Sequence, residues 1–301
     1  MKPPIFITGP TAVGKSAIAL ALAEKTGGEI ISVDSMQVYR GLDLGTAKPS
    51  ATEREKIPHH LIDVCDLHAA FDAAQFIRLA QKAVAEIQSR VRTPIFCGGT
   101  GLYFKAYFDG LGEAPPSDKK LRAELENSSF ASLLQELHER DPAAYEKIDK
   151  QNPRRVIRAV EVIRLTGKKF SELRTEWKQG ARSKEQGLRF FCFTRSVEDL
   201  HARINARVDE MFTRGLVDET RELLKHGLAE NKFAMQAIGY RQVVEHLRGE
   251  RDLVATIELV KTKTRQFAKR QLTWFRRHGN CEWIELQTDD SAEEILPRLI
   301  R

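Results

Sequence analysis

The segment Gly9-Pro10-Thr11-Ala12-Val13-Gly14-Lys15-Ser16 constrains this chain more than any other. It fits G-x-x-x-x-G-K-[ST] in full, and its setting matches the pattern. Ahead of it, Pro3 to Thr8 carries Ile5, Phe6 and Ile7 in succession, a short buried strand. Behind it, Lys15 to Lys25 carries Ile18, Leu20, Ala21 and Leu22, a helix that ends at Gly27-Gly28. A strand that curls through a glycine-rich turn into a helix opens a βαβ unit. Glycines let the backbone curl so that amide N–H groups point inward at phosphate oxygens, and the helix N-terminus adds positive potential. Lys15 supplies a mobile positive charge, and Ser16 is the hydroxyl that ligates a Mg²⁺ bridging phosphate oxygens.

The same alternation continues. Glu29 to Asp34 reads as a second buried strand, Ala73 to Ser89 as a helix with Phe76, Ile77, Leu79, Ala80, Val84 and Ile87 at helical spacing, and Pro94 to Cys97 as a third strand ended by Gly98-Gly99. Strands alternating with helices predict an α/β fold, a P-loop NTPase-like parallel sheet flanked by helices. Ligands of such sheets bind beyond the carboxyl ends of the strands. After Gly110 only helix signals remain until about Trp177. Asn152-Pro153 starts one helix, with Asn at the N-cap and Pro at the first position, and Gly167 stops it. Gly187 to Thr194 is apolar again and predicts a strand rejoining the sheet. The order implies a first core segment over 1–114, an all-helical insertion domain over 115–187, and a second core segment over 188–301. In that last part Ser196 caps a helix striped with Leu200, Ile204, Val208 and Met211. A long helix covers Asp252 to Arg277, Cys281 to Leu286 suggests a last strand, and Ala292 to Ile300 a last helix.

Composition narrows the function classes. With 42% hydrophobic and 30% charged residues in 301, the chain can bury a core without covalent staples. Cys65, Cys97, Cys192 and Cys281 lie too far apart for a metal or redox motif, which predicts reduced thiols and a cytoplasmic protein. The start, MKPPIFITGP, is too short for a signal peptide, and no apolar run spans a membrane. The net charge is +6. Between Lys261 and Arg277 there are seven Lys or Arg and no Asp or Glu, either a solvated helix face or the footprint of nucleic-acid contact.

The loop identifies a diphosphate or triphosphate without saying which. ATP is the default. In P-loop NTPases, however, a hydrophobic strand ends in an acid that supports Mg²⁺. The third strand here ends in glycines, and only the second ends in an acid, Asp34. Asp34 is therefore the Mg²⁺ support, a strand-end cap, or something else.

Further segments carry a family resemblance. Asp34-Ser35-Met36-Gln37-Val38-Tyr39-Arg40-Gly41 is followed by Gly45-Thr46-Ala47-Lys48-Pro49, Pro58-His59-His60-Leu61-Ile62-Asp63 and Gly98-Gly99-Thr100-Gly101-Leu102-Tyr103. Arg154 to Val162, Ala237-Ile238-Gly239-Tyr240 and Ala268-Lys269-Arg270-Gln271-Leu272-Thr273-Trp274-Phe275-Arg276 continue the series. Together with the phosphate loop, these closely resemble the tRNA dimethylallyltransferase (tRNA isopentenyltransferase) family, over nearly the whole chain. The resemblance implies dimethylallyl diphosphate as donor, Mg²⁺ as cofactor and a tRNA anticodon stem-loop as acceptor. The target it implies is the N6 amine of the adenine 3′ of the anticodon, in tRNAs reading codons that begin with U. It implies that Asp34 is the general base and that Thr100 meets the diphosphate near its bridging oxygen. An arginine of the helix after Thr194, Arg207 or else Arg203, also meets the diphosphate. Ser35, Met36 and Gln37 line the adenine pocket, while Arg154, Arg155 and Arg158, Gly239, Tyr240 and Arg241, and Lys269 and Arg270 touch the tRNA. The enzyme so implied is a monomer without a membrane contact. Val13 stands where relatives often carry Ser or Thr, and Arg154-Arg155 where many carry Gln-Arg. The lack of a zinc-finger pattern after Ile300 is expected of the short bacterial type.

Plainer roles compete at several positions. His59-His60 reads as packing or loop support, because adjacent residues rarely ligate one metal. Trp274 and Phe275 pack in a core more often than they stack on bases. Two enzymes offer alternatives: an ATP-dependent small-molecule P-loop kinase, and an adenylate isopentenyltransferase acting on free nucleotide. A non-catalytic RNA-binding protein on the same fold is a third. The basic helix speaks against the kinase, the Arg154–Arg158 cluster against the free-nucleotide enzyme, and intact Lys15, Asp34 and Thr100 against a non-catalytic protein.

Overall fold

The computed structural model describes residues 2–112, 114–173 and 189–300. The helix signal toward Trp177 and the strand start at Gly187 lie outside these residues. The described chain forms two compact units: one holds the residues up to Phe108 and those from Arg189 onward, the other those from Asp109 to Leu173.

In the first unit the elements run β1 (Ile5–Thr8), α1 (Lys15–Thr26), β2 (Gly28–Val33), α2 (Ala51–Lys56), β3 (His59–His60), α3 (Ala73–Ser89), β4 (Thr93–Gly98) and α4 (Gly101–Asp109). The second unit holds α5 (Lys119–Asn127), α6 (Phe130–Arg140), α7 (Pro142–Lys147), α8 (Pro153–Thr166) and α9 (Phe170–Leu173). The first unit resumes with β5 (Arg189–Thr194), α10 (Val197–Thr213), α11 (Leu216–Lys225), a short 3₁₀ turn (Ala234–Gln236), α12 (Tyr240–Leu247), α13 (Leu253–His278), β6 (Glu282–Glu285) and α14 (Ala292–Ile300).

The strands form one parallel sheet in the order β3-β2-β4-β1-β5-β6. The central strands are buried along their length, which is why they read as unbroken apolar runs rather than alternating ones. Strand β1 sits between β4 and β5, yet its own helix leads to β2 on the far side of β4. The loops leaving β1 and β4 therefore open a crevice at the carboxyl edge, where parallel sheets bind ligands. The Thr8 hydroxyl, donating to the Gly98 carbonyl at 3.0 Å, ties the two strand ends together.

Apolar layers cover both faces. One cluster gathers Phe6, Phe96, Phe104, Phe190 and Phe275, and the other Ile7, Ile18, Leu22, Phe193 and Ile204. Helix ends follow local chemistry. The Asp72 side chain accepts from Gln75 N–H at 2.9 Å and starts α3, whose Phe76, Ala80, Ala83 and Ile87 face inward. Ser196 and Asp252 cap α10 and α13 in the same way.

The second unit is helical throughout, around Leu125, Leu133, Leu137, Val156, Val160 and Ile163. Its α8 begins at the Asn152 cap with Pro153 and stops at Gly167, as its sequence predicts. A fully buried carboxylate, Glu161, ties this unit together. It accepts from Ser117 Oγ at 2.5 Å, Asp118 N–H at 3.1 Å, Arg158 at 2.7 Å and Arg122 at 3.3 Å.

Candidate active site

The loop between β1 and α1 curls as its sequence predicts. Gly14 caps α1 at φ 111°, and Ala12 holds φ 64°. A side chain in the left-handed region costs roughly 1–2 kcal/mol, and such strain gathers at ligand sites. Two arginines brace the loop by its carbonyls: Arg195 Nε donates to Val13 O and Arg203 Nε to Ala12 O, each at 2.9 Å. A trans peptide points its N–H opposite its C=O, so the hold on Val13 O turns the Gly14 N–H away from Arg195. Arg195 is itself fixed by Asp199 at 2.8 Å and the Gln287 carbonyl at 2.6 Å. No sequence pattern singles out Arg195; its role comes from the position of β5 beside the loop. Val13, fully buried, serves as core.

Lys15 and Arg207 bring positive charge into the crevice. Lys15 Nζ donates to Pro10 O at 2.7 Å. Burial pushes the ammonium down to about 8; Arg207 adds to that shift, while Cys97, Asp34 and Cys192 oppose it. Burial also lowers the Arg207 guanidinium, with Asp34 and Glu210 opposing. The Arg207 Nε–H is buried and has no hydrogen-bond partner among the described residues. A buried charged donor without an acceptor is costly. An anion held by the loop would satisfy it. Arg203, by contrast, is exposed and spends its Nε on the loop backbone. Beneath Lys15, burial raises the Cys97 thiol to about 11, so this cysteine is neutral. All four cysteines are free thiols.

Asp34 follows the last residue of β2. Its Oδ1 accepts from Met36 N–H at 2.8 Å and Gln37 N–H at 3.2 Å. Its Oδ2 takes no hydrogen bond among the described residues and remains a free acceptor. The Thr100 hydroxyl oxygen accepts from the Ser35 N–H at 3.1 Å, so β2 and β4 present Asp34 and Thr100 together. Gln37 was expected at an adenine pocket. Its amide accepts from Ser32 Oγ at 2.8 Å and donates to the Thr46 and Ala47 carbonyls at 3.1 and 3.3 Å. These bonds hold the 45–47 turn.

Helix α13 closes the other side. Gln271, 7% exposed, accepts from Thr11 N–H through Oε1 at 2.8 Å and donates to Gly99 O through Nε2 at 3.0 Å. The Thr11 amide, expected among the phosphate donors, is therefore already used. A Cβ on Gly99 would lie 2.2 Å from Gln271 Nε2, and one on Gly101 2.3 Å from the Trp274 ring. These two glycines let α13 approach the β4–α4 turn. Trp274 thus packs against backbone, and Phe275 is fully buried against Phe104.

The positions expected to touch RNA divide. Lys269 and Arg270 are exposed on α13, Arg154 and Arg155 at the start of α8, and Arg241 on α12. Arg158, expected there too, bonds Glu161 at 2.7 Å and the Pro115 carbonyl at 2.5 Å. Gly239 and Tyr240 belong to the same expectation. Both are buried, and the Tyr240 hydroxyl donates to Glu219 at 2.5 Å while accepting from Gly45 N–H at 3.1 Å. Tyr240 props the 44–46 turn from inside. His60 pairs with the buried Glu29 at 2.7 Å, and His59 bonds the Ile57 carbonyl at 2.7 Å. No cluster of three or more metal-binding side chains occurs among the described residues. Mg²⁺ needs no such cage: it favours one or two protein oxygens, substrate phosphates and water. The exposed Ser16 hydroxyl and the Asp34 carboxylate are oxygen donors of that kind.

Comparisons with known proteins identify the chain's relatives. The family model described as IPP transferase matches residues 37–278. A tRNA dimethylallyltransferase of Halorhodospira halophila is 45% identical, covering 97% of this chain and 94% of its own. One of Geobacter metallireducens is 44% identical, covering 93% and 92%. Among solved structures, the tRNA isopentenylpyrophosphate transferase of Bacillus halodurans superposes with a TM-score of 0.72 at 38% identity, covering 99% of this chain and 94% of that one. A eukaryotic dimethylallyltransferase acting on tRNA superposes with a TM-score of 0.81 at 30% identity, covering 98% of this chain and 78% of that one.

Proposed function

The chain belongs to the IPP transferase family, and from that membership we infer that it is an enzyme that transfers a dimethylallyl group to tRNA. The likeness to tRNA enzymes spans nearly the whole chain, so the small-molecule kinase and the free-nucleotide enzyme give way to this reading. The finer reading is that the donor is dimethylallyl diphosphate. The acceptor is the N6 amine of the adenine 3′ of the anticodon, in tRNAs reading U-initial codons. The enzyme acts as a monomer in the cytoplasm. No helix among the described residues is long and apolar enough to cross a membrane.

One observation supports this chemistry: Asp34, whose Oδ2 accepts no hydrogen bond among the described residues, lies near enough to Lys15 and to Arg207, whose buried Nε–H has no partner there, for its charge to act on both. An exocyclic adenine amine is a poor nucleophile, because its lone pair is delocalised into the ring. It needs an acceptor that takes its proton as the new bond forms. Asp34 Oδ2 takes that proton. Carbon 1 of the dimethylallyl group gains a bond to N6 and loses its bond to the diphosphate oxygen. The departing diphosphate accumulates negative charge, which the loop amides, Lys15, Arg207 and Thr100 stabilise. The Thr100 oxygen is occupied by Ser35 N–H, so its own proton is free to point at the diphosphate. Ser16 would hold Mg²⁺, which would supply further charge neutralisation on the diphosphate. The adenine must leave the anticodon stack, at a cost of about a few kcal/mol, and contacts from basic side chains offset that cost. Lys269, Arg270, Arg154, Arg155 and Arg241 are the exposed cations for this contact.

The test is direct. Unmodified anticodon stem-loop RNA, Mg²⁺ and dimethylallyl diphosphate are incubated with the protein, and the RNA is weighed by mass spectrometry. One dimethylallyl unit per RNA is expected; unchanged RNA refutes the reading.

A further inference from the structure

We propose that Gln271 is a positioning residue of the transfer reaction, holding the phosphate loop in register with the turn that carries Thr100. The proposal rests on the function inferred above. Three pieces of chain far apart in sequence meet at this side chain. Thr11 belongs to the phosphate loop, Gly99 immediately precedes Thr100, and Gln271 lies on the basic helix α13. A primary amide suits the place because it accepts and donates at once. Its oxygen takes the half-buried Thr11 N–H and its nitrogen satisfies the buried Gly99 carbonyl.

Two further features argue that this is more than filler. A Cβ at residue 99 would collide with Nε2, so the backbone leaves space for this amide. Lys269 and Arg270, the residues just before it, are exposed on the same helix. The helix that offers cations outward therefore grips both walls of the diphosphate crevice with its inward side chain. Gln271 touches neither reactant; it acts through the pose of the loop and of Thr100.

Gln271→Glu tests this with almost no change of shape. The carboxylate still accepts from Thr11 but cannot donate to Gly99 O, and it repels that carbonyl. Gln271→Met keeps the bulk and removes both hydrogen bonds. KM for dimethylallyl diphosphate should rise about tenfold or more in each variant, the cost expected for unpairing buried backbone groups. The dissociation constant for stem-loop RNA should stay within about twofold, because the outward cations are untouched. Gly99→Ala, which would displace the amide, should raise the donor KM alone but add little in the Gln271→Met background, because both changes break one contact. Unfolding midpoints identify any variant that is merely unstable, and Gln271→Glu, the most conservative, then carries the test. The proposal is overturned if donor KM stays near the parent value in a folded Gln271→Glu, if donor KM and RNA affinity weaken in parallel, or if the Gly99 and Gln271 effects multiply independently. If the parent itself transfers nothing to RNA, the function inferred above fails; if the parent transfers normally and the variants behave like it, only the role of Gln271 fails.

Discussion

The Ser35 amide donates to the Thr100 hydroxyl oxygen at 3.1 Å, so the residue next to Asp34 is bonded to the turn that closes β4. That bond fixes which way the threonine proton can go. It predicts that Thr100→Val, which keeps the shape and removes the hydroxyl, lowers kcat by about 10²-fold, the usual loss for one donor to developing charge. Thr100→Ser should retain most of the rate. Rapid-quench transfer with saturating donor and RNA measures both.

Asp34→Asn separates the turn from the chemistry. The asparagine oxygen still accepts from the Met36 and Gln37 amides, so the local fold is kept. The remaining nitrogen cannot take a proton. Single-turnover transfer should fall by about 10²–10⁴-fold, the range of general-base contributions, while RNA affinity measured by fluorescence anisotropy holds.

Arg207 and Arg203 should part company. Arg207→Leu removes a buried guanidinium with an unpartnered Nε–H, so thermal unfolding should stay the same or rise while transfer is nearly lost. Arg203→Ala removes an exposed side chain that braces Ala12 O and should cost less in transfer. Paired calorimetry and transfer assays of the two variants check the contrast.

The lowered Lys15 pKa gives a pH dependence with a definite sign. Free Lys15 titrates at about 8, chiefly because it is buried. A bound diphosphate favours the charged ammonium and raises that value, so binding takes up a proton once the pH exceeds the free value. Donor KM should be flat below about pH 8 and rise above it, approaching about tenfold per unit for one linked proton. Steady-state KM across that range measures the effect, which Lys15→Arg should abolish.

Lys269→Ala and Arg270→Ala address the RNA surface. Each should weaken stem-loop binding at low salt and reduce the slope of log affinity against log salt by about one. Salt titrations of binding provide the slopes. Arg158→Ala should act instead on folding stability, because its partner Glu161 is a buried carboxylate left without that cation.

Much of the fold was legible because its signals are local. The strands around Ile7, Ile31 and Ile95 are buried on both faces and read as unbroken apolar runs, and α3 and α8 carry their caps and stops in the sequence. The two-residue β3 and helix α4, which starts at the Gly101 turn, have no such signal. In the site, Lys15 and Asp34 are announced by motifs at strand ends. Arg195 and Gln271 are not, since their value depends on which backbone atoms they meet across the sheet, and sequence spacing is silent on that. The buried Tyr240 and the half-buried Arg158 bond Glu219 and Glu161 inside the protein, partners that their sequence segments do not announce.

The proposed reaction rests on one coupling: diphosphate leaves only as Asp34 takes the amine proton of an adenine presented by RNA. Its most direct measurement counts diphosphate released and dimethylallyl groups gained by stem-loop RNA in the same reaction, with the adenine 3′ of the anticodon present or replaced by uracil. Equal amounts of both products with the adenine, and neither with uracil, are expected. Diphosphate release that continues with uracil, or ATP consumption with both RNA and prenyl donor unchanged, would contradict it.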